Sequence, residues 1–279
     1  MRLKYLLVLF CTSTIIVAVF PVTFSHEKTM ENTIRVEEKG IVENPSNIDT
    51  ASRPLDALTR DAQGLVIYLT FDDGPHHTTP GVVALLRRKN AKASFFIIGS
   101  QRDRVPAFDS IYRAMVDDTL FRFYNHSYSH AISGGRLPRY YSRPDSVYAD
   151  IEKNRKYIPE SARHIRFPGK NTWHTSHRTR MDYFTAPVIQ RMTEHGNTDR
   201  VIGWDVSWKD TKGKRAVDAL INDILRTTKR HRTFNNHVVV LCHDYQFRRK
   251  ESLDDLAYMI DVLRNEHGCM LAWAEEYPW

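Results

Sequence analysis

Glycine, proline and cysteine are all scarce in this sequence. Twelve glycines and 12 prolines among 279 residues exclude a collagen-like or low-complexity chain, and a hydrophobic fraction of 42% excludes a wholly disordered one. Of the three cysteines, Cys11 lies in an apolar N-terminal run, which leaves Cys242 and Cys269 for the folded part. The length suits one large domain or two small ones, and an α/β barrel of about 200–250 residues would occupy nearly all of it.

Only the N-terminus carries a long apolar run. Residues 6–20 contain no charge and follow Arg2 and Lys4. A run of this length is at the upper end for the core of a signal peptide and is shorter than the ~20 residues that span a membrane comfortably. We therefore expect residues 1–25 to be a signal peptide or an uncleaved signal anchor. The protein would then be periplasmic, secreted or tethered to the membrane.

The net charge of +7 is unevenly distributed along the chain. Residues 26–63 hold eight acids and five bases, lack hydrophobic periodicity and contain Pro45 and Pro54, so we predict an acidic disordered linker there. The remainder, residues 64–279, carries a net charge of +8. A basic domain can attract nucleic acid or an acidic polymer, but no zinc-finger or RNP-type aromatic pattern accompanies these charges. We expect no nucleic-acid partner.

From residue 64 onward, short apolar runs alternate with longer amphipathic ones. The pattern predicts strands at 66–71, 93–98, 120–124, 164–167, 200–206, 237–242 and 269–274. It predicts helices at 80–89, 107–116, 145–157, 216–229 and 252–267. Seven strands joined by helices indicate a parallel sheet, closed or nearly closed into an α/β barrel. We predict one catalytic domain over residues 64–279.

Ionisable residues follow the ends of the predicted strands, which meet at one mouth of such a barrel. They are Asp72 and Asp73 after the first strand, His126 and His130 after the third, Arg166 near the end of the fourth, Asp205 at the end of the fifth and His243 after the sixth. The same alignment places Cys242 and Cys269 about five residues, or roughly 16 Å, apart along parallel strands. We predict that these two cysteines are buried and do not form a disulfide.

The strand-end residues include a set suited to a catalytic metal. His126 and His130, spaced i and i+4, would be neighbours on one face of a helical turn and could share a cation. Asp73 completes a His/His/Asp set that leaves positions open for water and substrate. The imidazoles favour zinc, with cobalt, nickel or iron as alternatives. His243 ends a buried strand, and histidine is the side chain most often used as a general acid near neutral pH, so we expect His243 to be the general acid.

Four motifs in this order resemble those of the NodB-type polysaccharide deacetylases, carbohydrate esterase family four. They are Thr-Phe-Asp-Asp-Gly-Pro at 70–75, His-Ser-Tyr-Ser-His at 126–130, Arg-Phe-Pro at 166–168 and Leu-Cys-His at 241–243. The resemblance covers about residues 64–275 and implies a distorted (β/α)7 barrel. The resemblance also implies a role for each matching residue. Asp72 would be the general base, which Arg166 orients and keeps ionised, and His243 would be the general acid. The metal ligands would be Asp73, His126 and His130.

The chain departs from the family pattern in two motifs. The family's third motif carries an aromatic that forms a wall of the substrate site, and here Pro168 is followed only later by Trp173. The fourth motif pairs an Asp, which tunes the acid histidine, with a Trp that lines the acetyl pocket. Two registers are available, Asp205 with Trp208, or Asp210. We favour Asp205 because it ends a predicted strand.

The leading hypothesis from the sequence is a metal-dependent hydrolase that removes N-acetyl groups from an N-acetylglucosamine-containing glycan. Peptidoglycan, a chitooligosaccharide or an exopolysaccharide would serve as substrate, and we expect a monomer. One alternative is a glycan-binding domain that kept the barrel and lost catalysis; another is an O-acetyl esterase of the xylan type. A phosphoesterase would need a second metal site or a phosphate-binding glycine-rich loop, and the sequence shows neither.

Overall fold

The computed structural model describes residues 64–131, 137–208, 214–227 and 236–278. The predicted signal segment, the predicted linker and Asp210 lie outside these ranges, so the structure bears only on the predicted catalytic domain. Within the described ranges, no helix combines the length and the apolar character that a membrane span requires.

The strands form where the sequence is apolar and β-branched or aromatic. The first predicted strand is buried along almost its whole length, as expected for a strand covered on both faces. The described strands are β1 (Val66–Gly74), β2 (Ala93–Ile97), β3 (Phe121–Asn125), β4 (His164–Ile165), β5 (Trp173–His174), β6 (Thr179–Arg180), β7 (Arg200–Val201), β8 (Val206–Ser207), β9 (His237–His243) and β10 (Met270–Leu271).

These strands make one curled sheet in the order β6-β5-β7-β4-β3-β2-β1-β9-β8. The predicted strand at 200–206 is in fact two short strands, of which β7 pairs with β4 and β8 pairs with β9 on the opposite side of the sheet. The strand is interrupted because the carbonyls of Ile202 and Gly203 accept hydrogen bonds from Arg166 instead of from a neighbouring strand. Residues 200–207 thus bridge both sides, and the sheet is a distorted barrel.

The sheet is mixed and not wholly parallel, contrary to the sequence prediction. The unpredicted hairpin of β5 and β6 is antiparallel, and β5 also runs antiparallel to β7. In addition, β10 pairs with Val66 and Ile67 at the start of β1, whereas β2 pairs with β1 only from Thr70 onward. β10 and β2 thus pair with the same edge of β1, one after the other. The seventh predicted strand, β10, therefore does not form a full-length strand of the barrel.

Proline lies in the first turn of five described helices, where its missing N–H leaves no intrahelical bond unmade. The five predicted helices are present, and the helix Ala186–Glu194 is among those that the sequence pattern missed. The described helices are α1 (Thr79–Arg88), α2 (Gly99–Arg104), α3 (Pro106–Arg113), α4 (Leu137–Tyr141), α5 (Pro144–Asn154), α6 (Ala186–Glu194), α7 (Lys214–Thr227) and α8 (Lys250–Asp261). Short 3-10 turns cover Arg155–Tyr157, Asp244–Phe247 and Ala274–Glu276, and a π turn, Val262–Glu266, follows α8.

Both late cysteines are buried with free thiols, as predicted. Cys242 in β9 lies opposite Phe71 of β1, and Met270, which follows Cys269, lies opposite Val66. The strand register therefore holds the two cysteines six residues apart along β1, roughly 20 Å and too far for a disulfide.

We predict that Gly203→Ala destabilises the domain by about 2–4 kcal/mol, because an added Cβ would overlap the Asn171 amide oxygen and the Trp173 indole nitrogen. Urea unfolding of purified protein measures this change. Gly81→Ala is the control, since its Cβ would lie 3.3 Å from a terminal methyl of Leu253, which can move. An equal stability of the two variants would contradict the prediction.

Candidate active site

An arginine–aspartate pair is buried at the carboxyl ends of the central strands. Arg166 is 0% exposed and donates from Nη1 to Asp72 Oδ1 and to Thr70 Oγ1, both at 2.8 Å. Its Nε donates to the Ile202 carbonyl at 3.1 Å, and its Nη2 to the Gly203 carbonyl at 2.8 Å. Burial lowers the pKa of Arg166, and the adjacent Asp72 charge opposes that effect. The guanidinium therefore holds one oxygen of Asp72 and leaves the other for chemistry.

Three potential metal ligands converge beside this pair, as predicted. Asp73 Oδ1 lies 3.3 Å from His126 Nε2 and 3.0 Å from His130 Nε2, and the three ligand atoms lie within 4.8 Å of one another. His126 Nδ1 hydrogen-bonds to the Arg166 carbonyl at 2.9 Å, which turns Nε2 toward Asp73. Two imidazole nitrogens and one carboxylate oxygen are a donor set that fits a divalent transition metal with open positions.

The electrostatics of the three ligands reflect their burial and their closeness. Burial raises the pKa of Asp73, but hydrogen bonds from His126 and His130 outweigh it and bring the pKa well below the ordinary range. Burial lowers the pKa of His126, but the charges of Asp72 and Asp73 outweigh it and raise the pKa above the ordinary value. The three side chains together therefore favour a bound positive charge, whether a proton or a metal cation.

The two segments that carry these ligands adopt left-handed backbone conformations. Asp73 has φ 70°, and Ser127, His130 and Ala131 have φ 65°, 50° and 62°. Non-glycine residues in this region are strained by about 1–3 kcal/mol each, and such residues cluster at functional sites. The expected helical turn at 126–130 is therefore wrong: a loop brings the two histidines together, closed by a bond from His130 N to Ser127 Oγ at 3.0 Å.

Helix α5 holds this loop through two polar side chains that the sequence analysis missed. Asp150 accepts from the Ser129 amide at 3.1 Å, from the Ser129 hydroxyl at 3.0 Å and from the Tyr140 hydroxyl at 2.9 Å. Asn154 donates to Asn125 Oδ1 at 2.9 Å, just before the first histidine. The available signal was the spacing of four residues between these two polar side chains, which places them on one helix face.

His243 reaches the same site from β9. The register of β1 and β9 places it opposite Asp72, and its Nε2 lies 3.9 Å from Asp73 Oδ2. Its Nδ1 is buried, and among the described residues no carboxylate hydrogen-bonds to it. The position fits a proton donor that faces the metal ligands.

Asp205 does not contact His243, contrary to the expectation for the fourth motif. Its carboxylate accepts from Arg178 Nη1 at 2.8 Å and from the Val239 amide at 2.9 Å. The reason is the unpredicted β5–β6 hairpin, which carries Arg178 to the buried carboxylate. The alternative, Asp210, lies outside the described residues.

The residues expected to bind substrate, Trp173, Trp208 and Pro168, are all buried. Trp173 is 0% exposed and packs on Tyr277, with ring centroids 5.5 Å apart. Trp208 is 2% exposed and packs on Phe247 at 5.1 Å. Since neither indole offers a surface to a sugar, both belong to the core that supports the site, and the expectation is corrected.

The exposed aromatic side chain beside the site is Tyr245, which the sequence analysis did not identify. Its ring centroid lies 5.2 Å from that of His243, and the residue is 40% exposed. Aromatic rings are typical of the walls of small-molecule sites. The available signal was its position two residues after a strand-end histidine.

Comparison with known proteins places this geometry in a family. A family model described as polysaccharide deacetylase matches residues 59–197. A chitooligosaccharide deacetylase of Azorhizobium caulinodans is 30% identical over 165 residues, which are 57% of this chain and 67% of that protein. The chain belongs to the polysaccharide deacetylase family. The predicted family and enzyme class are confirmed.

A further relative and a solved structure are also similar to this chain. A peptidoglycan-N-acetylglucosamine deacetylase of Bacillus cereus is 24% identical over 208 residues, 72% of this chain and 83% of that protein. The solved catalytic domain of a peptidoglycan N-acetylglucosamine deacetylase from Eubacterium rectale has a TM-score of 0.51 at 23% identity, covering 76% of this chain and 90% of that one. The structural match confirms the predicted fold of the family, a distorted barrel.

We predict that the zinc affinity of this polysaccharide deacetylase rises at least about tenfold from pH 6 to pH 8, because the raised pKa of His126 lets a proton compete with the cation. The same shift stabilises the metal-free fold below the ordinary histidine pKa, and this stabilisation is lost as pH rises through the higher folded value. Chelator competition at each pH measures the affinity. An affinity that does not change with pH would refute the assignment of this histidine as a ligand.

We predict that Asp150→Ala lowers zinc affinity about 10–100-fold, because the loop that carries His130 loses the hydrogen bonds from Ser129. Titration of the metal-free protein measures the change. Asp145→Ala on the same helix is the control, since its side chain is 73% exposed and its ion pair is with Arg191, away from the histidine loop. Equal affinities in the two variants would show that α5 does not organise the loop.

Proposed function

We propose that this polysaccharide deacetylase is a zinc enzyme that removes N-acetyl groups from glycans containing N-acetylglucosamine. The observation that carries the proposal is the position of Asp72. Its Oδ1 is held by Arg166 at 2.8 Å, and its Oδ2 lies 3.8 Å from Nε2 of His126, one of the three convergent ligands. A fixed carboxylate beside a metal site is the arrangement that hydrolysis of an amide requires.

Asp73, His126 and His130 would hold the cation. A divalent ion bound there supplies Lewis acidity, which polarises the acetyl carbonyl and makes water easier to deprotonate. The two imidazole ligands favour zinc over magnesium or calcium, which prefer all-oxygen sites.

The remaining steps fall to side chains of this chain. Asp72 accepts a proton from the attacking water as the new C–O bond forms, and Arg166 keeps that carboxylate oriented during the transfer. When the C–N bond breaks, His243 donates a proton to the leaving nitrogen. Acetate and a free amino sugar are the products. Both proton-transfer groups lie near Asp73, His243 with its Nε2 3.9 Å from Oδ2.

Among acetylated glycans we favour peptidoglycan as substrate. Residues 64–279 carry a net charge of +8, which suits the acidic peptide stems of peptidoglycan. The Bacillus cereus protein similar to this chain is named for that substrate, whereas the Azorhizobium protein is named for chitooligosaccharides. We further propose that the enzyme is exported by its N-terminal segment, or tethered by it, and acts as a monomer.

The proposal predicts acetate release from N-acetylglucosamine polymers that depends on zinc and on Asp72. Asp72→Asn should lower kcat about 10²–10⁴-fold while zinc stays bound, because the base is lost and the ligands remain. His126→Ala should lose both zinc and activity. The assay compares peptidoglycan, chitooligosaccharides and acetylxylan, each with zinc added and with zinc chelated.

Two matched variants serve as controls, Asp254→Asn and His195→Ala, which change exposed residues and should keep wild-type kcat. Acetate release from acetylxylan alone would indicate an O-acetyl esterase. Glycan binding without acetate release from any substrate would indicate a domain that has lost catalysis. Unimpaired release by Asp72→Asn would overturn the assignment of the base.

A further inference from the structure

Asp244 is a fully buried carboxyl group directly after His243, and the reaction above does not use it. It is 0% exposed, and its Oδ2 accepts a hydrogen bond from the hydroxyl of Thr79. Its main-chain carbonyl accepts from the Thr78 hydroxyl at 2.7 Å. Both threonines lie just past the turn that follows Asp73, so Asp244 connects the segment after the ligand carboxylate to the segment that carries the proton donor.

The contact with the turn is also steric. A Cβ added at Gly74 would lie 2.6 Å from Asp244 Oδ2, so the carboxylate is packed directly against the backbone that follows Asp73. Only glycine, which lacks a Cβ, allows this approach. The spacing between the two segments is therefore determined by contact as well as by hydrogen bonds.

The pairing of β1 with β9 does not by itself set this spacing, although β1 remains paired with β2 at Gly74. The paired residues of β1 and β9 end at Asp72 and His243. Asp73 lies one residue beyond that last pair, in a left-handed conformation with φ 70°. Past this point the β1–β9 ladder no longer sets the distance from Asp73 to the imidazole, and the contacts of Asp244 link the two segments directly.

A structural role alone accounts poorly for a carboxyl group at this position. Asp244 Oδ1 is buried with no hydrogen-bond partner among the described residues. A buried polar atom without a partner destabilises the fold, and an apolar side chain of similar shape would avoid that cost. A requirement for defined geometry at the neighbouring His243 accounts for a carboxyl group at this position.

We propose that Asp244 is a positioning residue, which acts through Thr79 and Gly74 to hold His243 at its working distance from Asp73. The inference rests on the proposed function, in which His243 delivers the proton to the leaving nitrogen. It assigns to the Thr79 hydroxyl a role in the rate of the reaction without contact with substrate or metal.

The test compares three substitutions in the full chain. Thr79→Val removes the donor to Asp244, Thr79→Ser keeps it, and Thr185→Val is the matched control. Thr185 is also 0% exposed and donates to a carboxylate, that of Asp182 at 3.0 Å, at the start of α6. Both valine variants lose a hydrogen bond donated by a buried hydroxyl, Thr79 to the buried Asp244 and Thr185 to the exposed Asp182, so both should lower Tm. We expect only Thr79→Val to change catalysis.

We expect Thr79→Val to lower kcat at least about tenfold, since displacement of a catalytic group by ~1 Å can cost 10²-fold, with KM and zinc affinity within about twofold of wild type. Thr79→Ser should restore kcat, and Thr185→Val should leave it unchanged. In crystal structures, the separation of His243 Nε2 from Asp73 Oδ2, now 3.9 Å, should lengthen or vary in Thr79→Val alone.

Equal kcat in Thr79→Val and Thr185→Val, or an unchanged His243 position in the Thr79→Val crystal, would overturn the inference. The crystallographic comparison does not depend on activity. If wild-type protein releases no acetate, the proposed function fails, and the position of His243 in the variant still decides the role of Asp244. A loss of kcat in all three variants would also refute it.

Discussion

The buried pair of Arg166 and Asp72 is the interaction on which the rest of the site depends. A guanidinium that is 0% exposed can remain charged only if its donors are satisfied, and here they reach a carboxylate, a hydroxyl and two carbonyls. Removal of one partner of such a pair typically costs about 3–5 kcal/mol, because the other charge is left buried alone. The pair also interrupts the strand at Ile202 and Gly203, and so helps residues 200–207 to bridge the sheet.

The backbone segments that carry the candidate ligands are strained, and side chains outside the site stabilise them. The left-handed residues Asp73 and His130 direct their side chains, together with that of His126, to one point, and the surrounding hydrogen bonds offset the strain. Asp150 on α5 holds the histidine loop, while Asp244 holds the turn after the aspartates. The ligands thus come from two short segments, and each segment is fastened by a carboxylate on a different element.

Much of the fold and most of the candidate site could be predicted from local pattern. The strand at 66–71 and the burial of Cys242 follow from continuous apolar runs, and Asp72, Asp73, His126 and His130 converge because parallel strands end on one side. The hairpin of β5 and β6 could not be predicted, since its strands have two residues each and no alternating pattern. Arg178, which lies in this hairpin, donates a hydrogen bond to the carboxylate of Asp205. The prediction that Asp205 contacts His243 was therefore wrong for the same reason.

The sequence by itself determined which residues carry the chemistry and that the ends of the strands bring them together, because strand direction and the order of motifs are local properties. The tertiary structure decided their partners. Whether Trp173 faces a sugar or the core, and whether Asp205 reaches His243 or Arg178, depends on segments far apart in the chain. The same holds for Asp244, which contacts Thr79 across 165 residues of sequence. Burial and long-range hydrogen bonds have no local signature, so such roles became visible only in the folded chain.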